Sequence, residues 1–434
     1  MDKRHYLTLG VLLAWGCTWV HADEWVERVS DSTASINDKV TQWRHHFHAN
    51  PELGNREFKT AARIADHLRS LGFDEVQTEV AHTGVVGILK GGLDGEVVAL
   101  RADMDALPVT EKTGLAFASK VTTQWRGTQT GVMHACGHDA HMAILMGVAE
   151  VLAGMREQIP GTVKFIFQPA EEGPPPGEQG GAQLMIEQGV LRGDYAPGAI
   201  FGLHVFPMAA GAVVYKPEGM LAAADSIDIT VKGVQTHGSM PWGGVDPIAA
   251  AAQIINALQQ VVSRQVDISN APAVVTIGSI NGGNRGNIIP EIVEMSGTIR
   301  SFDPDMRKDI HARVTKIVRL VAQSVGAEAE VKFGLGYPVT FNDSALTAQM
   351  VPVLDRVAAG GKAVLAKPLM GAEDFSYYAN EIPGLFVGLG VAKEPDVVGA
   401  PNHSPYFYVN DAALPVGVEL LSNLALQWLY DEKP

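Results

Sequence analysis

The chain has 434 residues, enough for two domains with sizeable cores. With 46% hydrophobic and 19% charged residues it reads as a soluble globular protein rather than a disordered or fibrous one. Its formal net charge of −15 excludes the basic footprint that a nucleic-acid partner needs, and otherwise speaks only for solubility.

At the amino terminus Lys3, Arg4 and His5 precede the run "YLTLGVLLAWGCTWV", and Ala22 supplies a small residue near a cleavage point. A basic start, an apolar stretch and a small residue predict a signal peptide over residues 1–22. The run is short of the roughly 20 apolar residues of a membrane helix, so no stable membrane insertion is expected after cleavage. Acylation at Cys17, giving a lipoprotein, is a minor alternative. Export to the periplasm or the medium makes Cys136 the one remaining cysteine, in a compartment where cysteines usually pair.

From about 36 to 218 helix and strand patterns alternate. "TAARIADHLRSLG" (60–72) is an amphipathic helix, "EVVALRAD" (96–103) a strand, and "DAHMAILMGVAEVLAGM" (139–155) a helix with Asp139 as candidate N-cap. "TVKFIFQP" (162–169) and "GAIFGLHV" (198–205) are buried strands, so the sheet is expected to be mostly parallel. From 219 to 334 the pattern becomes strand, helix, strand, strand, helix, strand, the order of a ferredoxin-like domain. The first style returns over 335–434. The expectation is an α/β catalytic domain (36–218 and 335–434) interrupted by a smaller α+β domain.

Four polar clusters follow strands of the larger part: "RADMD" (101–105), "PAEEG" (169–173), His204, and "PNHSPYF" (401–407). Ligands in open α/β sheets bind beyond the carboxyl ends of strands, so distant segments can converge there. "MHACGHDAH" (133–141) adds three histidines, an aspartate and the cysteine. Cys136 and His138 are two apart, placing both on one side of an extended segment, and the following helix would favour a thiolate at its positive end. Thiolate, imidazole and carboxylate together suit zinc and related divalent ions. Glu171 and Glu172 cannot point the same way on a strand, so one can hold metal while the other acts on water. Taken singly, Cys136 reads as a core residue in most contexts, His204 as a satisfied core histidine and the Glu pair as a solvated loop. Their joint placement after strands carries the signal. No G-x-S-x-G elbow, phosphate-binding P-loop or H-E-x-x-H helix competes with it.

The ordered motifs "HANPELGNREFKTAARIADHLRSLGF", "LRADMDALPV", "MHACGHDAHMA", "FIFQPAEEG", "GLHV", "THGSMPWGGVDP", "GNIIP", "GTIRSF", "GAEDFS" and "NHSPYF" span about 36 to 430. In them the chain resembles the amidohydrolase branch of the aminoacylase and carboxypeptidase G metallopeptidase family, which includes hippurate and indole-acetyl-amino-acid hydrolases. The resemblance implies a two-metal peptidase-type fold whose inserted domain serves as a lid and joins a homodimer. It implies Cys136, His138, Glu172, His204 and His403 as metal ligands, with Cys136 bridging, and Glu171 as general base. Asp103 resembles an aspartate that orients a metal ligand, although Arg101 stands where other branches have its histidine. His237 resembles a histidine presented to the neighbouring subunit as oxyanion donor, and Asn287 and Arg300 resemble residues that hold a substrate carboxylate. Trp242 departs from the histidine this branch often carries, and no role is assigned to it, His134 or His141.

The expected activity is metal-dependent hydrolysis of N-acyl-amino acids to a carboxylic acid and an amino acid. The expected cofactors are two divalent ions per subunit, Zn²⁺ or Mn²⁺, with Co²⁺ or Ni²⁺ as further options. The alternatives are a carboxypeptidase or dipeptidase of the same family, or an exported, non-catalytic binding protein for amino-acid conjugates.

Overall fold

The computed structural model describes residues 17–393 and 399–432. The expected signal peptide falls mainly on residues 1–16, outside the described residues. The chain begins with α1 (Cys17–Ala49), α2 (Phe58–Ser70), β1 (Glu75–Val80), β2 (Gly84–Lys90), β3 (Leu93–Asp103), β4 (Thr122–Trp125) and β5 (Thr128–Gly131). There follow α3 (His138–Ala153), β6 (Pro160–Gln168), α4 (Gly181–Glu187), β7 (Ala199–Ala209), β8 (Val213–Tyr215) and β9 (Glu218–Leu221). A second group comprises β10 (Ala223–Lys232), β11 (Thr236–His237), α5 (Pro247–Gln260), β12 (Ala273–Gly282), β13 (Ile288–Ile289), β14 (Ile292–Ser301), α6 (Pro304–Ser324) and β15 (Glu328–Leu335). The chain closes with β16 (Thr340–Asn342), α7 (Ser344–Val357), β17 (Val364–Leu365), α8 (Phe375–Glu381), β18 (Gly384–Ala392) and α9 (Leu414–Asp431).

The larger sheet runs β1-β2-β6-β3-β7-β18-β8-β17. Its centre, β6-β3-β7-β18, is parallel throughout. Both faces of that centre are covered, which is why its strands read as unbroken apolar runs. Val98, Leu100 and Ala102 of β3 join Val163, Phe165 and Phe167 of β6 in the core under α1, α3 and α9, whereas Ala99 and Ile166 face the core that includes Phe375 and Tyr378 of α8. The period of two thus sorts β3 into two faces, and Arg101 and Asp103 fall on the α8 side. Antiparallel pairings at β1–β2, β2–β6 and β18–β8 make the whole sheet mixed, with four of its seven pairings parallel. α9 with its leading turn (Asp411–Asp431) is the one helix among the described residues long and apolar enough to cross a membrane; most of it is buried in the core.

The chain leaves the larger sheet through β9 and returns through β16, and these two strands pair. Between them, β15-β10-β14-β12 form an antiparallel sheet in the ferredoxin-like order. α5 and α6 cover one face, so β10 alternates buried and exposed residues. Asp246 and Asp303 accept main-chain N–H groups at the starts of α5 and α6, as N-caps do.

Candidate metal centre

Five segments of the larger part converge beyond the ends of β3, β6 and β7. His138 is the first residue of α3, and Gly137 before it adopts φ +98°. That conformation suits glycine, and a Cβ there would lie 2.3 Å from Val205 Cγ2. The sharp turn at Gly137, rather than an extended segment, brings Cys136 and His138 together. Glu171 and Glu172 sit in a turn beyond β6 rather than on a strand, after Ala170 at φ +52°. His403 also has positive φ, at 68°, and its N–H donates to Ala135 O at 2.8 Å.

The donor atoms of Cys136, His138 and His204 form one group in which all lie within 4.8 Å of one another; Cys136, Glu172 and His403 form a second, and His138, Glu171 and Glu172 a third. Cys136 Sγ is 3.3 Å from His204 Nε2, His403 Nε2 is 3.0 Å from Glu172 Oε1, and His138 Nε2 is 3.8 Å from Glu171 Oε2. The cluster is buried at Cys136, His138, Glu171 and His204 and opens to solvent at His403. The predicted ligands and base are thus brought together. His237, Asn287 and Arg300 are not among them. His237 is exposed and bonds Ser239, Asn287 O accepts from Gly238 N at 2.8 Å, and Arg300 donates to Ile299 O at 3.1 Å. All three lie in the smaller part, on or beside β11, β13 and β14.

Neighbouring groups fix which histidine nitrogens face the cluster. His138 Nδ1 lies 2.8 Å from Asp105 O, and His204 Nδ1 lies 2.8 Å from Val205 O. A carbonyl only accepts, so each Nδ1 carries a proton, and Nε2 is the nitrogen left to offer a lone pair to an ion in the cluster. His138 Nε2 is buried with no hydrogen-bond partner. A buried, unpartnered ring nitrogen beside a thiol and carboxylates is the arrangement that a divalent ion satisfies in place of a proton, so the residues fit the metals expected.

The electrostatics agree. Burial pushes the Cys136 thiol well above its usual range, and the Glu172 and Glu171 charges add to it. Burial and these carboxylates oppose the thiolate that the start of α3 is expected to favour. Burial likewise drives Glu171 well up, reinforced by Glu373 and Glu172. Burial alone lowers His138, but Asp103 and Asp105 carry it up to about 10. The protein groups by themselves leave an acidic, desolvated site in need of positive charge.

The supports around the cluster were only partly anticipated. Asp103 Oδ1 lies 2.6 Å from His141 Nδ1, whose Nε2 accepts from Val205 N at 2.9 Å; that acceptor role puts the proton on Nδ1. Asp103 Oδ2 accepts from Arg101 at 2.7 Å. Asp103 therefore braces His141 and Arg101, and its oxygen stays 3.8 Å from His138 Nδ1. Asp139 caps nothing, because Gly137 holds the cap position; the Asp139 carboxylate binds Arg44 and His48 instead. Asp105 was missed as a support: beyond its carbonyl, its carboxylate accepts the N–H groups of Glu171 and Glu172, both at 3.0 Å. Asn402 was missed too, and donates to Cys136 O at 3.0 Å and Val205 O at 3.1 Å. Buried Arg101 also joins Glu373 at 2.9 Å and Asp374 at 2.7 Å, both within the quoted "GAEDFS". His134 is buried with neither ring nitrogen partnered by protein.

Residues 99–427 match the sequence pattern of peptidase family M20/M25/M40. Thermostable carboxypeptidase 2 of Saccharolobus solfataricus is 38% identical over 406 residues, covering 93% of this chain and 98% of that one. N-acetylcysteine deacetylase of Bacillus subtilis is 36% identical over 393 residues, covering 90% and 97%. A crystal structure of the YXEP protein of Bacillus subtilis, described as a dinuclear metal-binding peptidase of the M20 family, superposes with a TM-score of 0.77 at 34% identity, covering 91% of this chain and 99% of that one.

Proposed function

The chain belongs to peptidase family M20/M25/M40, a metal-dependent hydrolase family acting on amide bonds, and from that premise we propose that it cleaves N-acyl-amino acids to a carboxylic acid and an amino acid. The observation that carries this reading is Glu171, a buried carboxylate beside the metal-type donors His138 and Glu172 at a cluster open to solvent through His403. In it Cys136, His138, Glu172, His204 and His403 would hold two divalent ions, with Cys136 placed in two of the donor groups. The thiolate, imidazole and carboxylate donors suit Zn²⁺, with Mn²⁺, Co²⁺ and Ni²⁺ as further options. When bound, the ions supply Lewis-acid polarisation of the amide carbonyl and a lowered pKa for the attacking water.

Glu171 takes the proton from that water and delivers it to the leaving nitrogen, a transfer suited to a carboxyl whose proton affinity is raised by burial. Asp105 aims it by holding the N–H groups of residues 171 and 172, and Tyr337 Oη donates to Glu171 O at 2.5 Å from the other side. Asp103, through His141, supports the strand end that carries His204.

The lid residues complete the proposal in a homodimer. His237 is solvent-exposed, and Val234, Met240, Trp242 and Ile248 near it in sequence are exposed apolar residues, which supports a subunit contact there. His237 would then serve the neighbouring copy's site as oxyanion donor, with Asn287 and Arg300 holding the substrate carboxylate. Export is part of the proposal as well, and rests on the composition of residues 1–22; amino-terminal sequencing of protein recovered from the periplasm or medium tests it, and an intact Met1 there would sink it.

The 38% identity to a carboxypeptidase supports a second reading, removal of a carboxyl-terminal residue from peptides. A screen of purified protein against N-acyl-amino acids and dipeptides, with and without added divalent ions, separates the two. Turnover of acylated amino acids that needs metal and vanishes in Glu171→Ala is expected. Dipeptide cleavage alone would select the second reading, and turnover independent of metal or of Glu171 would refute the mechanism.

A further inference from the structure

We infer that Arg44 is a positioning residue for the metal centre, a single side chain that fastens the Cys136–His138 segment to the chain that follows His403. The inference rests on the reading of Cys136, His138 and His403 as metal ligands. Arg44 lies on α1, which gives no atom to the donor groups. Its side chain is 1% exposed. Nε donates to Asp139 Oδ2 at 3.0 Å, and Asp139 directly follows His138. The neighbouring nitrogen Nη1 donates to Val409 O at 3.1 Å and Asp411 Oδ1 at 2.7 Å. His48, one helical turn further along α1, places Nδ1 2.9 Å from the same Asp139 oxygen and Nε2 3.1 Å from Glu111.

The arrangement has a geometric logic. The ligand segments around Cys136 and His403 touch each other directly through neutral hydrogen bonds, namely His403 N to Ala135 O and Asn402 Nδ2 to Cys136 O. Arg44 adds charge-assisted bonds from outside, and its planar fork reaches both segments at once, which an ammonium on a single stem does not do. Asp139 lies in the first turn of α3, where a carboxylate is favoured, so the clamp grips α3 at the end that carries His138. An ion pair that only held α1 in place would alter stability and leave the metal affinity of the folded protein unchanged.

The test uses the full chain as wild type, Arg44→Met, Arg44→Lys, Arg44→Ala and His48→Gln. Zn²⁺ and Mn²⁺ affinity and stoichiometry are read by competition with a chromophoric chelator, at a temperature where circular dichroism shows each protein folded. The Met and Lys variants are expected to bind about 10–100-fold more weakly, the range for residues that orient metal ligands. Added guanidinium ion should restore affinity in Arg44→Ala, whose cavity can admit it, and not in Arg44→Met. Wild-type affinity in the folded Arg44 variants overturns the inference. His48→Gln removes the second donor to Asp139 and leaves Arg44 intact; it covers the case in which the Arg44 variants do not fold. A several-fold loss of affinity is expected for it, and an unchanged affinity counts against the clamp. A wild-type protein that takes up neither ion overturns the metal-centre reading and this inference together.

Discussion

His138 and His204 donate their Nδ1–H groups to main-chain carbonyls, and so both turn Nε2 toward the cluster. That detail depends on Asp105 O and Val205 O, which no residue pattern advertises, whereas the ligand types themselves stood out in "MHACGHDAH" and "PAEEG". The supports were illegible for the same reason: Asp105 acts largely through N–H groups 66 and 67 positions away, and Asn402 binds carbonyls 266 and 197 positions away. Two outcomes belong at this scale. Glu171→Gln keeps the size of the side chain and removes its basicity, so kcat is expected to fall by about 10²–10⁴ while metal content, read by elemental analysis, is retained. His48 gives a pH signature. Burial lowers it, but Asp139 and Glu111 carry it to about 9. A raised folded pKa stabilises fully below the unfolded value near 6.5, and that contribution is lost as pH rises through about 9. The shift corresponds to at most about 3 kcal/mol. Denaturant midpoints measured between pH 6 and 10 should fall for wild type across this window and fall less for His48→Gln.

Elements were legible where burial imposes a period. The strands β3, β6, β7 and β18 are apolar on both faces, and α6 buries Met306, Ile310, Val314 and Val318 in a stripe four residues apart, a spacing visible in the sequence. The order of strands across the sheet was not visible, because apolar runs state burial without naming neighbours. The antiparallel edges therefore entered only with the structure. The start of α3 shows the local failure most plainly. Asp139 looked like a cap by residue type, yet Gly137 holds the cap position at a positive φ that disfavours a side chain, and Asp139 is free for Arg44. Gly137→Ala combines positive φ with a Cβ against Val205, and is expected to lower stability by about 1–3 kcal/mol and to weaken metal binding. Retention of both the wild-type melting temperature and metal affinity would contradict this account of the turn.

For the whole molecule, the interruption of one fold by another was readable as a change of pattern near residue 219, because the smaller sheet alternates where the larger one does not. How the two parts cooperate was not readable, since His237, Asn287 and Arg300 make their contacts within the smaller part. The proposed homodimer makes this testable. Mixing Glu171→Gln with His237→Ala should regenerate one working site in each mixed pair, about a quarter of wild-type activity after random exchange of subunits. No recovery, with exchange confirmed by mass, would count against sharing. Chelation should also destabilise the larger part, by about 2.7 kcal/mol if the free ion had stood at a hundred times its dissociation constant. The membership of Cys136 in two of the three-residue donor groups carries a further consequence. In the proposed reading two ions would share this one sulfur, and they would then not be loaded independently. Occupancy of either position changes the charge and orientation of the thiolate offered to the other, and the effect must be equal in both directions. A titration curve should therefore depart from that of two unlinked sites. One oxidation of that sulfur would empty both positions in a single event.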